Sequence, residues 1–178
     1  MKIYSTRHGQ TDFNKQDLIL GTTDIPLNET GVAQARQLAE EIEKIGDIDL
    51  IIASPMVRAF TTAKTVAEHC GIEIITDDRL REWDYGRYEG KSRYTDGFFA
   101  GKREFAVRMG NIGESVLQLS HRVYSLLDEV IKKYNDKNIL LVSHGGICRI
   151  IETYFHDMTT EDYSNWFMGN CQLIEYNI

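Results

Sequence analysis

No apolar run in this 178-residue chain approaches the roughly 20 residues that a membrane-spanning helix needs, which excludes a helical membrane anchor. Met1-Lys2-Ile3-Tyr4-Ser5-Thr6 turns polar too soon for the apolar region of a signal peptide. Positive charge is also short: the net charge is −7, and both nucleic acids and membrane surfaces reward a basic face. Any anionic ligand must therefore be held by a local cluster of cations. The three cysteines, Cys70, Cys148 and Cys171, have no close paired spacing. They read as reduced thiols packed as small hydrophobes, in keeping with a cytoplasmic protein and not with a disulfide framework. The five histidines show no metal-ligand spacing, so no metal is expected. Glycines in the dinucleotide-binding pattern are missing after the first strand, and there is no repeat, linker or low-complexity tract. A chain this long buries enough surface to need no staple.

What is present alternates between extended and helical patterns. Ile3 to Thr6 reads as an opening strand that runs into Arg7-His8-Gly9. Val32, Ala35, Leu38, Ala39, Ile42 and Ile45 fall at helical spacing, with Thr30 as the expected N-cap and Gly46 as the stop. Ile48 to Ala53 reads as a buried strand closed by Ser54-Pro55. A helix bearing Ala59, Ala63, Val66, Ala67 and Cys70 follows and ends at Gly71. Ile72, Ile74 and Ile75 suggest a short strand. A long helix is predicted from about Glu114 to Tyr134, then the strand Ile139 to Val142, a helix from Ile147 to Phe155 and a last strand from Leu173 to Ile178. Buried strands separated by helices imply an α/β fold with three layers, a mostly parallel sheet covered by helices on both faces. One domain over 1–178 is expected. The irregular stretch at about 88–113, basic within an acidic protein, reads as a lid or specificity insertion that could contact an anionic substrate.

In such sheets ligands bind beyond the carboxyl ends of the strands. Three predicted strands end on Arg7-His8, on Ser54-Pro55 with Arg58 beyond, and on Ser143-His144-Gly145-Gly146. A parallel sheet would bring all three to one edge. Imidazole keeps an unprotonated nitrogen at neutral pH and can act as a covalent nucleophile. Guanidinium forks match phosphoryl oxygens. Glu82, within Leu80-Arg81-Glu82-Trp83-Asp84-Tyr85-Gly86, is the leading candidate for a general acid, with Asp84 close by. Gly145-Gly146, opening a helix, could cradle a phosphate or simply punctuate a turn.

Thr6-Arg7-His8-Gly9-Gln10-Thr11-Asp12-Phe13-Asn14 resembles the signature of the histidine phosphatase superfamily, also called phosphoglycerate mutase-like. Gly21 to Gly31, Ala53 to Ala59 with Thr61-Thr62-Ala63, Leu80 to Gly90, and Val142 to Gly146 resemble further family segments in the same order. By that resemblance His8 is the residue that becomes phosphorylated. Arg7, Arg58 and His144 would clamp the phosphoryl oxygens, with Asn14 as a further donor. Glu82 would protonate the leaving oxygen and then take a proton from water. Gln10, Gly21, Thr23 and Tyr85 would lie around the substrate, together with Gly145. The resemblance implies no metal and no cofactor, because the arginines supply the positive charge.

These readings favour a phosphatase acting on a small phosphomonoester, with no nucleic-acid or membrane partner. The alternatives are a phosphoglycerate mutase and, in another class, a non-catalytic phospho-ligand-binding regulator. Tyr88-Glu89-Gly90 resembles the phosphatase branch, and the mutases of the family are larger. Aromatic residues Tyr88, Tyr94, Phe98 and Phe99 could pack on a ring-bearing leaving group.

Overall fold

The computed structural model describes all of residues 1–178. In chain order the elements are β1 (Lys2–Arg7), α1 (Asp12–Lys15), α2 (Glu29–Ile45), β2 (Leu50–Ala53), α3 (Val57–Cys70), β3 (Glu73–Thr76), α4 (Phe98–Gly101), α5 (Val116–Lys133), β4 (Ile139–Ser143), α6 (Gly145–Phe155), α7 (Thr160–Asn165) and β5 (Leu173–Asn177). The five strands form one sheet in the order β3-β2-β4-β1-β5. All neighbours are parallel except β1 and β5, which run antiparallel with Thr6 opposite Leu173.

Side chains alternate across a strand, so each inner strand feeds both faces. Ile3, Leu50, Ile52, Ile139 and Leu141 point into one cluster, with Leu119, Val123, Leu126 and Leu127 of α5 and Ile147, Ile150 and Ile151 of α6. Tyr4, Ile51, Ala53, Leu140 and Val142 point to the other side, against Leu38, Ala39 and Ile42 of α2 and Ala63, Val66 and Ala67 of α3. Two helical layers thus enclose a mainly parallel sheet, as the strand and helix alternation predicts. No helix is long and apolar enough to cross a membrane.

The boundaries differ from expectation in physically readable ways. α2 begins two residues early: Asn28, not Thr30, is the N-cap, and its side chain accepts from the Gly31 N–H. Val32 lies 36% exposed, off the buried stripe of that helix. α6 starts at Gly145 instead of Ile147, so both glycines lie in its first turn. The second strand is shorter than read, beginning at Leu50. α5 is held at its start by Ser115 and Gln118, which form a reciprocal capping box. The helices α1, α4 and α7 were not anticipated. Each is four to six residues long, too short to show a periodic stripe.

Candidate active site

Strands β1, β2 and β4 are parallel, so Arg7-His8, Ser54 and His144 emerge at the same edge of the sheet. There the His8 and His144 rings lie edge to face, 5.2 Å between centroids. Because β5 is antiparallel, its start also lies at this edge, and it delivers Asn170. The Asn170 amide donates to the His8 carbonyl at 2.7 Å. A cavity of about 150 Å³ opens here, and its lining includes Arg7, His8, Gln10, Asn14, Glu82, Tyr85, Gly145 and Gly146.

His8 is 2% exposed, and its Nδ1 lies 2.7 Å from the Gly9 carbonyl oxygen. A carbonyl only accepts, so the neutral ring carries its hydrogen on Nδ1 and keeps Nε2 unprotonated. Burial, reinforced by the Arg7 and Arg58 guanidiniums, holds the His8 pKa well below the ordinary imidazole value. The same causes act on His144, burial first and then Arg58, His8 and Arg7. Its Nε2 is 2.8 Å from the Ser54 hydroxyl. The loop after His8 is fixed by backbone contact: a Cβ on Gly9 would collide with the Gly31 carbonyl oxygen. The Gly9 N–H donates to Thr62, which in turn donates to the Arg58 carbonyl.

Glu82 is buried, and its carboxylate accepts from the Trp83 N–H at 2.8 Å and the Gly146 N–H at 3.1 Å. Burial nonetheless raises its pKa above the usual carboxyl value, because desolvation outweighs those two donors and the nearby Arg58 and Arg7. Arg81 is engaged with Asp78 and Asp84 with the Gly86 N–H, so neither competes for the Glu82 carboxylate. Arg122 donates to the backbone carbonyl of Glu82 at 3.2 Å while paired with Glu114. Arg58 is fully buried and, like His144, is not among the residues that line the cavity. Its Nη1 and Nη2 donate to the carbonyls of Thr23 and Gly21, at 2.8 and 2.9 Å. Gly21 and Thr23 therefore hold Arg58, and neither is among the residues lining the cavity. Glu89 holds the same loop from its other side, accepting from the Gly21 and Thr23 N–H groups at 3.0 Å.

Three side-chain atoms in this region, Arg7 Nε, Arg58 Nε and His144 Nδ1, are buried without a hydrogen-bond partner. Arg93 and Lys102 of the basic 88–113 stretch line the cavity, and so do residues the sequence did not single out, Arg149 from α6 and Phe167, Met168 and Asn170 before β5. Lys91, Arg103 and Arg108, equally basic in sequence, lie elsewhere. Of the four aromatic residues considered, only Phe98 reaches the lining, and Tyr94 is 69% exposed. Asn170 and Arg149 carry no local motif. Their signal would have been the reversed direction of β5 and the helical face of α6 that Gly145 shares with Arg149. No three His, Cys, Asp or Glu side chains gather as a metal site would require.

The description of the histidine phosphatase superfamily (branch 1) matches residues 3–178. The chain is 33% identical over 184 residues to a Hydrogenobacter thermophilus protein provisionally named phosphoserine phosphatase 2, covering 99% of this chain and 89% of the relative. It is 34% identical to the uncharacterized phosphatase PhoE of Bacillus subtilis, over 93% of this chain and 82% of that one. It is 40% identical over 151 residues to an Enterobacter protein provisionally named phosphoglycerate mutase GpmB, over 82% and 70%. Among solved structures, mycobacterial glucosyl-3-phosphoglycerate phosphatase with VO3 superposes with a TM-score of 0.87 at 28% identity, over 98% of this chain and 90% of that one. The α-ribazole phosphatase of Shigella flexneri, at 23% identity and TM-score 0.85 over 100% and 91%, shares the fold. With a match that runs through the whole sheet and both histidine-bearing strand ends, the chain belongs to the histidine phosphatase superfamily, branch 1, and is an enzyme of that phosphatase class.

Proposed function

We propose that the protein hydrolyses small phosphomonoesters through a phosphohistidine on His8, without a metal ion. In this reading the whole chain acts as one domain and the 88–113 insertion supplies specificity. The observation that carries it is the trio of buried, unpartnered atoms on Arg7, Arg58 and His144: the His144 ring lies against His8, and the charges of both arginines act on His8. Buried polar groups are nearly always paired, so three unpartnered atoms at one edge of the sheet suit the oxygens of a tetrahedral anion. His8 Nε2 attacks phosphorus while the ester P–O bond breaks. Glu82, whose neutral form burial favours, gives its proton to the leaving alkoxide. In the second step the Glu82 carboxylate takes a proton from water, the hydroxide oxygen bonds to phosphorus, and the P–N bond breaks. Phosphate leaves and neutral His8 returns. Stabilisation comes from the fixed guanidiniums and His144, as expected for phosphoryl transfer governed by positioning and electrostatics. Gln10, Asn14, Tyr85 and Gly145 line the space the ester would enter, and Gly21 and Thr23 serve it by orienting Arg58.

The test is phosphate release from a panel of phosphomonoesters with a chelator present and His8→Ala alongside. Release that survives chelation and disappears in a folded His8→Ala supports the reading. Loss on chelation, or turnover in the variant, overturns it. Conversion of 3-phosphoglycerate to its 2-isomer without phosphate release would instead place the protein with its mutase-named relatives.

A further inference from the structure

Four cations line the cavity: Arg7, Arg93, Lys102 and Arg149. Arg7 belongs to the phosphoryl clamp of the proposed hydrolysis. Arg93 is paired with Asp17 at 3.3 Å and lies 5.9 Å from the Phe167 ring. Arg149 is 7% exposed and spends Nε and Nη2 on the Trp166 carbonyl, at 3.3 and 2.9 Å, without an acidic partner. Lys102 is the least compensated. It is 5% exposed, and its ammonium sits 4.5 and 4.7 Å from the Phe98 and Phe99 ring centres, with no hydrogen bond to any acid or carbonyl. Buried lysines are rare unless paired. The only carboxylates on the same lining are Asp17, engaged by Arg93, and Glu82, which burial keeps toward its neutral form. Besides Arg7, two positive charges without an acidic partner thus remain on the wall, Lys102 and Arg149, in a protein whose net charge is −7.

We propose that Lys102 and Arg149 form a second anion subsite, so that the preferred substrates are phosphomonoesters whose alcohol carries a carboxylate or a second phosphate. The proposal rests on the phosphatase reading. The ester phosphate faces His8, and the second anionic group sits between α6 and the α4 end of the insertion. Phe98 and Phe99 strip water from the ammonium, which strengthens its attraction to an anion and makes it costly to leave unpaired. A neutral alcohol would leave that cost in place.

The pH behaviour is specific. Burial, with Arg149 and Arg93 adding repulsion and Glu82 opposing it, lowers the Lys102 pKa to about 7. Arg7 and Asp17 complete the charged groups on the lining. An anion favours the ammonium form, so preference for the charged alcohol is full below the free-protein pKa and fades as pH rises through it.

The experiment compares kcat/KM within matched pairs. In one arm 3-phosphoglycerate is set against glycerol 3-phosphate, which replaces a carboxylate by a hydroxymethyl group. In the other, propane-1,3-diol bisphosphate is set against its monophosphate. The charged member of at least one pair should win by roughly 10- to 100-fold, the usual worth of a hydrogen bond to a charged group. Whichever arm shows the preference names the anion. In Lys102→Met and in Arg149→Met the ratio should collapse toward one. A ratio measured within one preparation does not depend on the fraction folded. Equal turnover within both pairs, or a preference that both variants retain, overturns the subsite. Absence of turnover on all four esters would count against the phosphatase reading alone. Calorimetric binding of the same pairs to His8→Ala then gives the ratio without chemistry, and equal affinities there overturn the subsite.

Discussion

At Glu82 two opposing influences meet on one carboxyl group. The Trp83 and Gly146 amides stabilise its charged form, and burial penalises it more strongly, so the neutral acid persists above the usual carboxyl range. At His8 burial works the other way and keeps the imidazole unprotonated below its usual value. If these groups act as acid and nucleophile, kcat/KM falls in acid as His8 gains a proton and falls in alkali as Glu82 loses one. Glu82→Gln should erase the alkaline limb and slow hydrolysis of an alkyl phosphate by roughly 10²–10⁴. The loss should be far smaller with p-nitrophenyl phosphate, whose leaving phenolate needs no proton. Equal losses on both esters would remove Glu82 from the role of acid. The neighbouring glycine is as constrained as the acid, since a Cβ on Gly146 would lie 2.5 Å from a Glu82 carboxylate oxygen.

Among the elements, the loop before α2 is gripped on opposite sides of its backbone. Arg58 takes the Gly21 and Thr23 carbonyls, while Glu89 takes the amides of the same two residues. The loop thereby transmits the position of the insertion's first residues to a guanidinium on α3. Glu89→Ala should lower kcat/KM by about tenfold, with kcat falling more than KM rises, since hydrogen bonds to a charged group carry about 1.5–3 kcal/mol. Glu89→Gln, which keeps an acceptor, should recover most of it. A loss in melting temperature with kinetic constants unchanged would show that the grip serves stability alone. This network was not legible in the sequence. Tyr88-Glu89-Gly90 pointed to the phosphatase branch, and nothing local tells that Glu89 reaches back to residue 21. Where a candidate residue sits at a strand's end it can be read locally: His144 follows the apolar run at 139–142, and His8 follows a short extended segment within a recognisable motif. Where it rides on a helix face or a reversed strand, as at Arg149 and Asn170, the placement depends on packing and strand direction. The Asn28 cap shows the same limit. Thr30 precedes the first apolar residue, but the Asn28 side chain takes the Gly31 N–H, and the helix starts two residues sooner.

For the molecule as a whole, alternating patterns were enough to predict a parallel sheet between two helical layers, because periodicity in each segment encodes which faces are buried. Strand order and the reversal of β5 are set by contacts between distant segments and leave no such trace. The folded protein also carries a burden at the cavity. Lys102 is charged in the unfolded chain up to a pKa of 10.5 but only to about 7 when folded. The unfolded state therefore binds the extra proton between those values, so stability rises with pH across that window and the full penalty applies below it. Lys102→Met should raise the melting temperature at about pH 6 by several degrees, given about 2–4 °C per kcal/mol for a chain of this size, and by less at about pH 9.5. A gain independent of pH, or a loss at the lower pH, would contradict it.

The strand bearing His8 is flanked by β4 and β5, neither of which begins before residue 139. During synthesis, β1 leaves the ribosome with no partner for its backbone and stays unpaired until more than three-quarters of the chain has followed. Asn170, which fastens the His8 carbonyl, comes later still. A nascent or prematurely terminated chain consequently exposes the unpaired backbone of that strand, with Ile3 and Tyr4, and lacks the assembled sheet edge around His8. The long-range pairing also predicts slow folding for a domain of this size, with the newly made chain depending on protection from aggregation until its final strand arrives.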